Sequence, residues 1–82
     1  MADSTFEFSD LKRILLDCAG EEPAESSETE ALDATFGELG YDSIVLMETL
    51  ARIAREYRVT IEDDAVTGDT TPRDLIDLVN AG

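Results

Sequence analysis

The sequence predicts an all-α fold, a small four-helix bundle with three main helices, one short helix and a long first loop. Three observations carry this. Apolar residues recur with a helical period over residues 11–18, 46–57 and 75–79. Aromatic residues are only 6% of a chain that is 43% hydrophobic, so aliphatic helix packing must build the core. A polar stretch from Gly20 to Asp42 separates the first two periodic segments and has little apolar periodicity itself.

At 82 residues the chain is expected to form one domain, residues 1–82, with a modest core. A large enclosed active site does not fit in it. Ser9 is expected to cap the first helix, where Leu11, Ile14, Leu15 and Cys18 fall at i, i+3, i+4 and i+7, and Gly20 ends it. Cys18 lies on that apolar face and reads as a core residue rather than a reactive thiol. Lys12 and Arg13 point away and balance nearby acids. In the loop, Leu32, Phe36 and Leu39 are expected anchors, and Glu21, Glu22, Glu25, Glu28 and Glu30 form a solvated surface rather than a metal site.

The second long helix runs from about Ser43 to Tyr57. At 100° per residue Leu46, Leu50, Ile53 and Tyr57 share one narrow arc with Ala54 on its edge, and these face the core. Ile44 projects opposite them beside Glu48, Ala51 and Arg55, with Met47 on the flank. Glu48 with Arg52, and Arg52 with Glu56, have the i, i+4 spacing of helix ion pairs. Val59 and Ile61 read as buried anchors in a connector, because a lone short extended segment has no partner strand. Asp63, Asp64, Ala65 and Val66 are expected to form the short helical turn, broken by Gly68 and Asp69. Thr71 as N-cap and Pro72 at the first position start the last helix, which is expected to bury Leu75, Leu78 and Val79.

Composition narrows the function. The formal charge of −14 comes from 20 acids against 6 bases, which disfavours nucleic acid and anionic membranes and favours basic protein patches as partners. One cysteine excludes an internal disulfide and leaves no zinc cluster, which fits a reducing compartment. No leader-like N-terminus and no apolar run near ~18 residues is present, so a soluble, cytoplasmic protein is expected; a monomer is expected as well. The absence of histidine rules out a Ser-His-Asp triad. A calcium loop over Asp63 to Asp74 fails because Ala65 occupies a ligand position and Asp74 replaces the closing glutamate.

One stretch resists a purely structural reading: Leu39, Gly40, Tyr41, Asp42, Ser43, Ile44. Leu39 and Gly40 close the loop, and Asp42 is placed to cap the second long helix, leaving Ser43 at the first helical position with its hydroxyl outward. A phosphate there would meet unpaired backbone N–H groups and the positive end of the helix dipole. An exposed Ile44 and Met47, one and four residues beyond Ser43 and ringed by charge, suit a docking surface.

This run resembles the attachment motif of acyl carrier proteins, in which the serine of an Asp, Ser, Leu/Ile triplet carries a 4'-phosphopantetheine arm. Gly40, Tyr41, Asp42 and Ser43 are most similar to carriers of type II (aromatic) polyketide synthases, and length, helix order and acidity extend the resemblance over nearly the whole chain. It implies a non-catalytic carrier. Ser43 would bear the arm, which comes from coenzyme A, with Asp42 as helix cap and transferase recognition residue. Ile44, Met47, Glu48 and Ala51 would meet partner enzymes. The implied partners are a phosphopantetheinyl transferase, a ketosynthase/chain-length factor, a malonyl transferase, and a ketoreductase or cyclase. Arg52, Arg55 and Arg58 depart from the more uniformly acidic second helix of fatty-acid carriers and bear on partner choice. Two alternatives stay open: a carrier of fatty-acid or another acyl pathway, and an acidic interaction module in which Asp42 and Ser43 only cap a helix.

Overall fold

The computed structural model describes residues 5–20, 27–62 and 64–81. Its first helix, α1, runs from Phe8 to Ala19, with Glu7 rather than Ser9 at the N-cap position. The reason is local. Asp10 reaches back to accept the Glu7 N–H at 3.0 Å, satisfying a donor at the helix start and allowing Phe8 to enter the first turn and be buried. At the other end Gly20 adopts φ 78°, and its N–H donates to the Leu16 carbonyl at 2.8 Å, as a left-handed C-cap does.

Among the described residues three more helices follow: α2, Glu28–Asp33; α3, Ser43–Tyr57; and α4, Pro72–Ala81. No strand occurs among the described residues. The all-α architecture with one short helix is therefore as expected, but the short helix lies inside the first loop and not after α3. Ser27 explains its start by accepting the Glu30 N–H at 3.2 Å, and Glu28 and Glu30 place negative charge at the positive end of the dipole. Ala31 then buries against the core. Asp63 lies outside the described residues; Asp64 and Ala65 form a turn closed by the Ala65 N–H on the Glu62 carbonyl at 3.1 Å. Glu21, Glu22 and Glu25 also lie outside the described residues.

α1 packs on α3 and α4, and α2 packs on α4. Leu11, Ile14, Leu15, Ile53 and Leu75 are fully buried at the centre, as the helical periods require. Anchors also come from outside the helices, among them Phe6, edge-on to Tyr57 with ring centroids 4.9 Å apart, and Phe36 beneath the loop. Leu39 is buried as expected, while Leu32, Tyr57, Val59 and Ile61 are half-buried against the core. Cys18 is half-buried there too.

Leu78 is a correction, because 40% of it is exposed. Pro72 is buried together with Leu75 and Val79, which turns the inward arc of α4 toward Ile76 and leaves Leu78 outside it. The start of α4 is as expected: Thr71 Oγ1 accepts the Asp74 N–H at 3.2 Å, and Pro72 takes the first position, where no N–H is needed.

Candidate functional site

The loop leading into α3 is held from below. Phe36 N–H donates to the Thr70 carbonyl at 3.0 Å and Gly37 N–H to the Gly68 carbonyl at 2.9 Å, so this loop lies backbone to backbone against the one before α4. A side chain at position 37 would crowd that approach, since its Cβ would stand 3.2 Å from the Gly68 oxygen and the two backbones would have to move slightly apart. Thr35 and Glu38 cap the turn reciprocally, with bonds of 2.9 and 3.1 Å. Gly40, at φ 94°, then reverses the chain, and Tyr41 N–H closes onto the Phe36 carbonyl at 3.0 Å. Tyr41 is buried and meets Phe36 edge to face, with centroids 6.5 Å apart.

These anchors decide how the chain enters α3. Leu39 and Tyr41 point inward, whereas Asp42, Ser43 and Ile44 are exposed. Asp42 is extended, and its Oδ1 accepts the Val45 N–H at 2.9 Å while its carbonyl accepts the Leu46 N–H at 3.0 Å. Ser43 is thus the first residue of a 15-residue helix. Its own N–H and that of Ile44 precede the helical ladder and have no partner inside it. No acid occupies the first turn of α3, so two N–H groups and the dipole face solvent beside the Ser43 hydroxyl. That donor set fits a phosphodiester on Ser43.

Along α3, Ile44, Glu48, Ala51 and Arg55 recur at i, i+4, i+7 and i+11 and form one exposed row. Ile44 is 68% exposed, and Met47, beside the row, 66%. On the Met47 flank, Met47, Leu50, Ala51, Ala54 and Ile61 line an open cleft of about 220 Å³. Ser43, Met47, Leu50 and Ala54 also share i, i+4, i+7, i+11 spacing, so the cleft starts directly below the serine.

Residues 10–79 match the family described as phosphopantetheine attachment site. The actinorhodin polyketide synthase acyl carrier protein of Streptomyces coelicolor is 46% identical over 71 residues, covering 87% of this chain and 83% of its own length. The oxytetracycline polyketide synthase acyl carrier protein of Streptomyces rimosus is 48% identical over 73 residues, covering 89% and 77%. This chain belongs to the polyketide synthase acyl carrier proteins. The solution structure of malonyl acyl carrier protein from the Streptomyces coelicolor actinorhodin synthase superposes with a TM-score of 0.80 at 40% identity, over 99% of this chain and 94% of that one.

As a member of that family, this acyl carrier protein takes 4'-phosphopantetheine as its covalent cofactor. The family is one of carriers rather than catalysts. No helix among the described residues is long and apolar enough to cross a membrane, and no group of three or more metal-ligating side chains occurs among them.

The electrostatics of the carrier separate its arginines. Arg52 does not take Glu48. It donates to Glu56 at 2.7 Å, one turn on, and to Asp17 of α1 at 3.1 Å. Arg13 of α1 reaches the same Glu56 at 3.2 Å. Bonds from Arg52 first and Arg13 second hold the Glu56 carboxyl below the usual carboxylate range. Two features of the carrier are not legible in its sequence. Thr49 is fully buried on α3, with its hydroxyl unpartnered among the described residues. Asn80, near the end of α4, bonds the backbone of Phe6 twice. Neither position carries a sequence signal, because each depends on what tertiary packing places beside it.

Proposed function

We propose that Ser43 is the attachment residue and that the chain is a single, non-catalytic carrier domain of a type II polyketide synthase, holding malonyl units and the growing polyketide. The observation that carries this is the placement of Ser43: exposed, first in α3, beside the Asp42 cap and within the segment that matches the attachment-site family. A phosphopantetheinyl transferase joins the Ser43 oxygen to the phosphopantetheine phosphorus of coenzyme A. The serine proton is lost, and adenosine 3',5'-bisphosphate leaves. Once attached, the arm's thiol holds acyl groups as thioesters, whose carbonyl is more electrophilic and whose α-carbon is more acidic than in oxygen esters.

The chain's own residues present and dock the arm. Asp42 fixes the helix start and is the transferase recognition residue. The Ser43 and Ile44 N–H groups and the dipole of α3 orient the phosphate. Ile44, Met47, Glu48 and Ala51 form the docking surface for the transferase, ketosynthase/chain-length factor, malonyl transferase, and ketoreductase or cyclase. A small apolar centre with a charged rim suits the fast, weak complexes that a shuttle needs. Met47, Leu50 and Ala54, four to eleven residues below Ser43 along α3, or about 6 to 16 Å at the helical rise, offer an acyl group an apolar cleft together with Ile61 from the segment after the helix. The carrier works as a cytoplasmic monomer.

The test is intact mass after incubation with coenzyme A, magnesium and a broad-specificity phosphopantetheinyl transferase. One added phosphopantetheine on the parent and none on Ser43→Ala is the expected result. No addition to the parent, with the transferase active on another carrier, overturns the reading.

A further inference from the structure

The outward row of α3 is electrically polar along its length. Its attachment end carries Glu48, with the Asp42 cap just before the helix, and Arg55 lies at the far end with Arg58 just beyond; all four are exposed. The charged ends are separated by the seven residues from Glu48 to Arg55, about 10 Å along the helix. That is close to one Debye length at physiological salt, so a partner feels two ends rather than one average charge.

The ion pairs sort the cations of the chain. Arg13 and Arg52 are tied to Glu56 and Asp17, Arg73 to Asp33 at 2.9 Å, and Lys12 stands 6.0 Å over the Phe8 ring. Among the described residues neither Arg55 nor Arg58 has a carboxylate partner. Arg58 is held in place by its own backbone: it is the C-cap of α3 at φ 57°, with its N–H on the Ala54 carbonyl. In a chain of net charge −14, two cations with no carboxylate partner among the described residues, on the face that also carries Ile44 and Ala51, are out of keeping with the rest of the surface.

Resting on the reading of this face as the docking surface, we infer that it fits a partner face of matching polarity. That face carries a basic side chain next to its active-site mouth and a carboxylate about 10 Å away. The basic side chain meets Glu48 and the phosphate end, and the carboxylate meets Arg55 and Arg58. The two contacts have opposite sign, so a reversed approach places like charges together at both ends. Opposed contacts of this kind fix orientation and raise the fraction of productive encounters. We assign the ketosynthase/chain-length factor as this partner, because chain extension requires the arm to enter one fixed mouth.

The experiment uses carrier loaded to completion with malonyl-phosphopantetheine, confirmed by mass, and the ketosynthase/chain-length factor of the actinorhodin synthase as probe. The KM for the carrier is measured for the parent, Arg55→Glu/Arg58→Glu, Arg55→Gln/Arg58→Gln and Ile44→Ser, at low and high salt. The expected result is a KM raised roughly tenfold by the double glutamate variant and roughly threefold by the double glutamine variant. In both, kcat should stay near the parent value, and the difference between them should shrink in high salt. An unchanged or lower KM in the double glutamate variant, while Ile44→Ser raises it, overturns the polar partner face and leaves the docking surface standing. If Ile44→Ser is also without effect, it is the docking surface that fails. Equal circular dichroism and complete loading of every variant keep misfolding out of the comparison.

Discussion

Asn80 is bonded twice to the backbone of Phe6. Its Oδ1 accepts the Phe6 N–H and its Nδ2 donates to the Phe6 carbonyl, each at 2.9 Å across 74 residues of chain. One side chain near the end of α4 thereby satisfies both backbone groups of a residue near the start of the chain. With its backbone held, Phe6 can bury its ring against Tyr57. Asn80→Ala should therefore destabilise the fold by about 1.5 kcal/mol in urea unfolding. Asn80→Asp should do no better, because it keeps the acceptor but places a carboxylate oxygen against the Phe6 carbonyl.

Thr49 makes the opposite prediction. Its hydroxyl is buried with no partner among the described residues, so removing it relieves a desolvation cost rather than breaking a bond. Thr49→Val should leave stability unchanged or raise it by up to about 1 kcal/mol. A loss of that size would mean that the hydroxyl is bonded in solution. Loading of Ser43 by the transferase should be unaffected, since Thr49 does not reach the surface.

Gly40 separates conformational strain from bulk. A Cβ at this position would meet nothing within 4 Å, so the whole cost of Gly40→Ala comes from holding φ at 94°. That cost should be about 1–2 kcal/mol, read from urea unfolding. Transferase loading should slow as well, because Gly40 sets the turn that buries Tyr41 and directs Asp42 and Ser43 outward. A semisynthetic chain with D-alanine at position 40, which favours positive φ, should recover both.

Glu56 gives the pH dependence. Its carboxyl titrates below the usual range in the folded chain, through its bonds to Arg52 and Arg13. A depressed folded value means that the stabilisation is present above the unfolded value, near pH 4, and is lost as pH falls through the folded one. Carbon-detected NMR titration should place Glu56 below a free glutamate. Arg52→Gln should move it back up, and more than Arg13→Gln does. An unmoved midpoint in the Arg52 variant would assign the shift to another cause.

The first and last long helices show how far the sequence reaches and where it stops. Period alone places Leu11, Ile14 and Leu15 correctly, because a long amphipathic helix has one way to hide its stripe. It does not place Leu78, because Leu75 and Val79 define the inward arc only to within one neighbour, and the burial of Pro72 settles it. The short helix escapes the sequence for a related reason. Six residues carry too weak a period to stand above loop chemistry, and the Ser27 cap competes with an equally good turn at Asp64.

The site divides along the same line. Local sequence determined the start of α3 at Ser43, its Asp42 cap and the outward direction of Ile44, since capping and helical phase act over only a few residues. It also determined the family, through the run from Leu39 to Ile44. Only the tertiary structure decided that Gly37 lies against Gly68, that Asn80 holds Phe6, and that Arg52 turns to Asp17 and Glu56 and leaves Arg55 on the outer face. Those are contacts between residues far apart in the chain, and which of several available partners a side chain takes is settled when the helices pack.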